Sequence, residues 1–231
     1  MKTIGLIGGM SWESSLEYYR LINEAVKERL GGLHSAQCLL YSVDFGEIEP
    51  LQNRGEWEEA ADRLCRAACA LENGGAECVV LCTNTMHKVA AEIQSAIWIP
   101  FLHIADATAA QIKAQGLRKI GLLGTRFTME EDFYRGRLVD QHGLEVLVPP
   151  ADERERVHRV IYDELCLGKL LPESRAAFVG IMERLVEAGA EGIILGCTEI
   201  GLLVGPGDST VPLFDTTRIH ALAAVDFALK G

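Results

Sequence analysis

The 231 residues include seven cysteines, and Cys82 and Cys197 share a local context. Cys82 closes the apolar run Val79-Val80-Leu81 and is followed by Thr83-Asn84-Thr85. Cys197 closes Ile193-Ile194-Leu195-Gly196 and is followed by Thr198-Glu199. Short apolar runs of this kind read as buried strands. Ligands of open α/β sheets bind at the carboxyl ends of strands, so both thiols fall where a site belongs. The residues after each cysteine are helix-starting types. A helix amino end offers unpaired N–H groups and a partial positive charge. Such a terminus is expected to draw a thiol pKa of about 8.5 toward neutrality, where acid/base transfer is most efficient. Either cysteine alone would read as a small buried hydrophobe; the duplication argues for chemistry.

The duplication extends beyond the cysteines. Ile4-Gly5-Leu6-Ile7-Gly8 is echoed by Ile120-Gly121-Leu122-Leu123-Gly124, an offset of 120 − 4 = 116. Gly75-Ala76-Glu77 and its apolar run are echoed by Gly189-Ala190-Glu191; pairing Cys82-Thr83 with Cys197-Thr198 gives 197 − 82 = 115. Ile99-Pro100-Phe101-Leu102 is echoed by Val211-Pro212-Leu213-Phe214 at 211 − 99 = 112. Three matches in one order at nearly one offset describe two copies of an α/β lobe. The expected architecture is therefore two pseudo-symmetric lobes, each a mainly parallel sheet flanked by helices, with the active site in the cleft between them. The expected division is 1–98 plus 213–231 for the first lobe and 99–212 for the second. Facing thiols suit inversion of a stereocentre, which needs a base on one face of a carbon and an acid on the other.

Strand-length apolar runs alternate with helix-period segments, as in parallel α/β sheets. The expected strands are 3–8, 37–44, 76–82, 100–104, 119–124, 144–148, 191–196 and 211–214. Between the first two, Ser14-Ser15-Leu16-Glu17 reads as a capping box. Leu16, Tyr19, Ile22, Val26 and Leu30 then recur at helical spacing up to Gly31-Gly32. A second helix is expected over 56–73, closed by Gly74-Gly75.

Hydrophobic residues make up 48% of the chain, enough for a sizeable core. The formal net charge of −11 argues against a nucleic-acid groove, which needs a basic face. The opening Met1-Lys2-Thr3-Ile4-Gly5 reads as a first strand rather than a signal peptide, and no apolar stretch approaches the ~20 residues that span a bilayer. An odd cysteine number, several of them within apolar runs, fits a reduced cytoplasmic setting better than a disulfide framework. Cys65/Cys69 and Cys78/Cys82 are spaced by four, but within a helical pattern and along a strand, so no metal site is expected.

Val79-Val80-Leu81-Cys82-Thr83-Asn84-Thr85-Met86-His87 and Ile193-Ile194-Leu195-Gly196-Cys197-Thr198-Glu199-Ile200 resemble the two signatures of the aspartate/glutamate racemase family. Gly5-Leu6-Ile7-Gly8-Gly9-Met10-Ser11-Trp12 and the later Phe214-Asp215-Thr216 with His220 resemble its aspartate-type branch. The resemblance covers essentially the whole chain. It implies cofactor-independent racemisation of a small acidic amino acid, Cys82 and Cys197 as the proton-transfer pair, and commonly a homodimer. It also places Thr83, Asn84, Thr85 and Thr198 against the substrate's carboxylate and amine, and Met10 in the pocket wall. Gln52 falls where aspartate racemases often carry Arg for the side-chain carboxylate, which loosens aspartate specificity. Lys169 falls where a second distal-carboxylate contact is expected. His87 reads equally as a substrate contact and as an ordinary helix residue.

Other readings are weaker. Gly5-Leu6-Ile7-Gly8-Gly9 lacks the Gly-x-Gly-x-x-Gly spacing of a dinucleotide fold. Maleate isomerase and hydantoin racemase types share the paired-cysteine scaffold and remain open as alternatives. A bilobed metabolite-binding protein or thiol redox sensor is the non-enzymatic one.

Overall fold

The computed structural model describes residues 1–230 and divides into two compact units. One comprises residues 1–104 with the C-terminal segment from His220; the other is Ala105–Ile219. The first holds a four-stranded sheet in the order β2-β1-β3-β4, with β1 Ile4–Gly8, β2 Cys38–Ser42, β3 Cys78–Leu81 and β4 Phe101–Leu102. The second holds β6-β5-β7-β8, with β5 Lys119–Gly124, β6 Glu145–Leu147, β7 Gly192–Gly196 and β8 Leu213–Asp215. Every pairing is parallel. These are the two helix-flanked parallel sheets that the repeat implies.

Parallel sheets need both faces covered, and the first unit shows how its sequence achieves this. Side chains alternate across a strand. Ile7, Val79 and Leu81 therefore pack on one face, against Ala60, Leu64, Ala67 and Leu71 of helix Trp57–Asn73. Ile4, Leu6, Cys78, Val80 and Cys82 pack on the other, against Tyr18, Leu21, Ile22 and Ala25 of helix Trp12–Leu30. Ala221, Ala224 and Val225 of helix Thr216–Leu229 complete that second face.

Two local expectations are corrected. Helix Trp12–Leu30 begins earlier than the capping box at Ser14 implied; Ser11 is its N-cap and accepts from the Ser14 N–H at 3.3 Å. The buried stripe runs through Tyr18, Leu21, Ile22, Ala25 and Val26, so Ile22 and Val26 of the expected stripe are buried while Leu16, Tyr19 and Leu30 are exposed. The unit boundaries also lie a few residues later than 98/99 and 212/213. β4 pairs with β3 through Val79↔Phe101, and β8 pairs with β7 through Ile193↔Leu213, so each strand stays with the unit that precedes it. At the end of β1 the chain turns at Gly9 with φ +95°, where a Cβ would lie 2.0 Å from the Val43 carbonyl oxygen. Only glycine fits. Among the described residues no helix is long and apolar enough to cross a membrane.

Candidate active site

The carboxyl ends of β3 and β7 carry the residues singled out above. In the first unit Cys82 continues the line of β3, its N–H bonded to the Ile7 carbonyl at 2.9 Å. Its side chain follows Cys78 and Val80 onto the face covered by helices Trp12–Leu30 and Thr216–Leu229, where it is fully buried. The nearest acceptor is the Val80 carbonyl, 3.9 Å from Sγ. Burial pushes this thiol far above its ordinary range. Thr83 comes next, 8% exposed, its N–H turned back to the Leu81 carbonyl at 2.9 Å. Asn84 and Thr85 then lead into the 3₁₀ turn Thr85–Val89.

In the second unit β7 ends at Gly196, and Cys197 stands immediately beyond it, 9% exposed. Its Sγ donates to Glu199 Oε2 at 3.0 Å, and Thr198 Oγ1 donates to the same oxygen at 2.7 Å. Burial first, and the Glu199 carboxylate second, raise the Cys197 thiol well above its usual value. Glu199 was not singled out from sequence, although its place two residues after Cys197 was the available signal. The expected lowering of both thiols by helix amino ends is thus reversed. The elements that follow are short, the turn Thr85–Val89 and the helix Ile200–Leu203, and burial is the largest cause of the rise at both thiols.

The strand registers decide which residues are equivalent. β1 pairs with β3 through Ile4↔Cys78, and β5 pairs with β7 through Ile120↔Gly192. With Ile4 matched to Ile120, Cys78 corresponds to Gly192 and the offset is 192 − 78 = 114. Cys82 then corresponds to Gly196, and Thr83 to Cys197. The opposite ends of the sheets agree. Glu77 accepts the Thr3 N–H at 2.7 Å, and Glu191 accepts those of Arg118 and Lys119 at 2.7 and 2.9 Å. Pairing the two Cys-Thr dipeptides therefore slips by one residue, and a one-residue slip moves a side chain to the other face of its sheet. The counterpart of Cys197 is the Thr83 position, while Cys82 belongs to the core.

The remaining expected site residues divide between the units. Met10 and Gln52 are buried in the first; Met10 packs with Ile48, Leu51 and Met86, and Gln52 Nε2 donates to Met86 Sδ at 3.0 Å. Lys169 is exposed in the second, just past the turn Leu165–Leu167. The Cys166 thiol of that turn is a further cause of the rise at Cys197.

A model of the Asp/Glu/hydantoin racemases matches residues 7–224. The chain belongs to that family. Membership implies an isomerase. A crystal structure of a candidate Asp/Glu racemase from Yersinia pestis shares 60% identity over the full length of both chains, with a TM-score of 0.94. An aspartate racemase homologue from Pyrococcus horikoshii shares 38%, again over both whole chains, with a TM-score of 0.86. A broad-specificity amino-acid racemase of Bacillus subtilis, RacX, is 22% identical over 96% of each sequence.

Proposed function

We propose that this racemase-family chain inverts the α-carbon of small amino acids, aspartate and glutamate among them, without a cofactor. Cys197 moves the proton on one face, and the hydroxyl of Thr83 serves the other. The observation that carries this reading is the register equivalence of Thr83 and Cys197, with Glu199 within bonding reach of the Cys197 thiol. Glu199 takes the thiol proton, and the arriving substrate ammonium offsets the charge of the thiolate left behind. Sγ then removes the α-proton: the Cα–H bond breaks and S–H forms. Thr83 O–H delivers a proton to the opposite face, and the proton held on Glu199 returns through water to the Thr83 alkoxide as product leaves, which restores the starting state. Asn84, Thr85 and Thr198 hold the carboxylate and amine. Gln52, neutral where a cation would favour a second carboxylate, broadens the range toward substrates such as homoserine.

The test is incubation of each enantiomer of aspartate, glutamate and homoserine in deuterium oxide with no cofactor added, followed by chiral chromatography and mass spectrometry. Racemisation is expected with deuterium at the α-carbon. A thiolate is a far better base than a neutral hydroxyl, so washout without inversion should be faster from one enantiomer than from the other. Absence of exchange from every substrate would refute the function. Equal washout from both enantiomers would refute the thiol–hydroxyl asymmetry.

A further inference from the structure

His87 is buried in the turn that follows Thr83-Asn84-Thr85. Its Nδ1 lies 2.7 Å from the Thr83 carbonyl oxygen, which can only accept, so Nδ1 carries the ring proton. Its Nε2 accepts the Ile104 N–H at 3.2 Å and so carries the lone pair. Two main-chain partners thus fix a neutral ring and account for both nitrogens, which argues against the substrate contact considered from sequence. His103 and His220 lie beside it, with ring centroids at 4.5 and 5.8 Å. At His220, Nε2 donates to the Leu102 carbonyl at 2.7 Å, and Nδ1 lies 2.9 Å from Tyr18 OH. The segment from Leu102 to Ile104, where the chain leaves the first unit, is therefore held by two histidines. Only His87 continues to Thr83.

Resting on the reading of Thr83 as a reacting position, we propose that His87 is a positioning residue that fixes the Thr83 carbonyl, and with it the direction of the Thr83 hydroxyl, by bridging it to the Ile104 amide. A buried bridge from fixed backbone to a reacting residue sets geometry more tightly than packing alone, and small displacements at a reacting group are expensive in rate.

Two measurements test this. In the wild-type protein, ring ¹⁵N shifts should show His87 neutral with its proton on Nδ1; an Nε2–H tautomer or an imidazolium at neutral pH overturns the bridge. Among variants, His87→Asn keeps a donor near Nδ1, His87→Gln keeps only an acceptor toward Ile104, and His87→Leu keeps neither. With KM little changed, kcat should fall about a hundredfold in His87→Gln and His87→Leu and be largely rescued in His87→Asn. His220→Leu removes an equally buried pin on the same segment without touching Thr83, and should lower the melting temperature more than kcat. If kcat simply follows melting temperature across all four variants, His87 is structural and the proposal fails. Thr83→Ala separates the levels: its retaining full activity sinks the underlying reading, whereas an inactive Thr83→Ala beside fully active His87 variants sinks only the bridge.

Discussion

Replacing Glu199 with Gln isolates the proton route through Cys197. The carboxylate accepts from Sγ at 3.0 Å and from Thr198 Oγ1 at 2.7 Å. Glutamine preserves an acceptor of nearly the same shape but cannot take a proton, so the thiol must lose its proton directly to solvent. A positioned general base contributes about 10²–10⁴-fold, and because the hydrogen bond survives, the lower part of that range applies. The expected loss in kcat is about 10²–10³-fold, or roughly 2.7–4 kcal/mol of barrier. The sign of the thiol's own change is opposite. Burial still holds Cys197 above its ordinary value, but removing the carboxylate removes the second cause of the rise, so the thiol becomes more acidic. The variant should be slower in turnover, faster in alkylation of the Cys197 peptide at a given pH, and should regain rate as pH rises. Initial rates over a pH series, with peptide mapping after brief alkylation, read all three. Wild-type turnover in Glu199→Gln, or turnover and alkylation falling together, would refute the proton-holding role.

Cys82→Ser puts a hydroxyl into an apolar core whose nearest acceptor stands 3.9 Å away, and should destabilise by about 1–3 kcal/mol in urea titrations. Burial alone would raise the Asp106 carboxyl, but hydrogen bonds from Arg137 at 2.6 and 2.7 Å and from His142 at 2.8 Å hold it below its ordinary value. Asp106→Asn should therefore cost about 1 kcal/mol near neutrality, discounted for partial exposure; the deficit should shrink as pH falls below about 3.9, where the carboxylate's advantage is lost. Lys169 is exposed and free to meet a distal carboxylate, so Lys169→Ala should lower kcat/KM for aspartate and glutamate about tenfold or more relative to homoserine; equal losses would show that it does not read that group.

Both four-stranded sheets were legible because buried parallel strands leave nearly continuous apolar runs, and the repeat showed them to be two like sets; the order of strands within each sheet comes from the structure. On the proposed reading of Thr83, the site was legible to within one residue. Gly75-Ala76-Glu77 and Gly189-Ala190-Glu191 already carry the offset of 189 − 75 = 114, which runs without a gap to Thr83 and Cys197. Matching cysteine to cysteine hid it, because identity of side chain outweighed strand register. In a strand of period two that slip exchanges site and core, which is where Cys82 lies. Glu199 escaped notice because a carboxylate after a cysteine looks like a helix-start residue until the turn folds it back onto the thiol. The helix Trp12–Leu30 was displaced for a similar reason: several serines precede and enter it, and only backbone geometry selects Ser11 as the cap.

The most direct test of the central claim is the rate of L-to-D aspartate conversion by Cys82→Ala and Thr83→Ala side by side, each shown to be folded by its melting transition. Cys82 lies among core side chains, and Thr83 stands at the register position of Cys197. Cys82→Ala should turn over at close to the wild-type rate, while Thr83→Ala should lose about a hundredfold or more, the lower bound for a missing acid/base partner. A folded Cys82→Ala without activity beside a Thr83→Ala near the wild-type rate would restore the two-thiol pair and contradict this account.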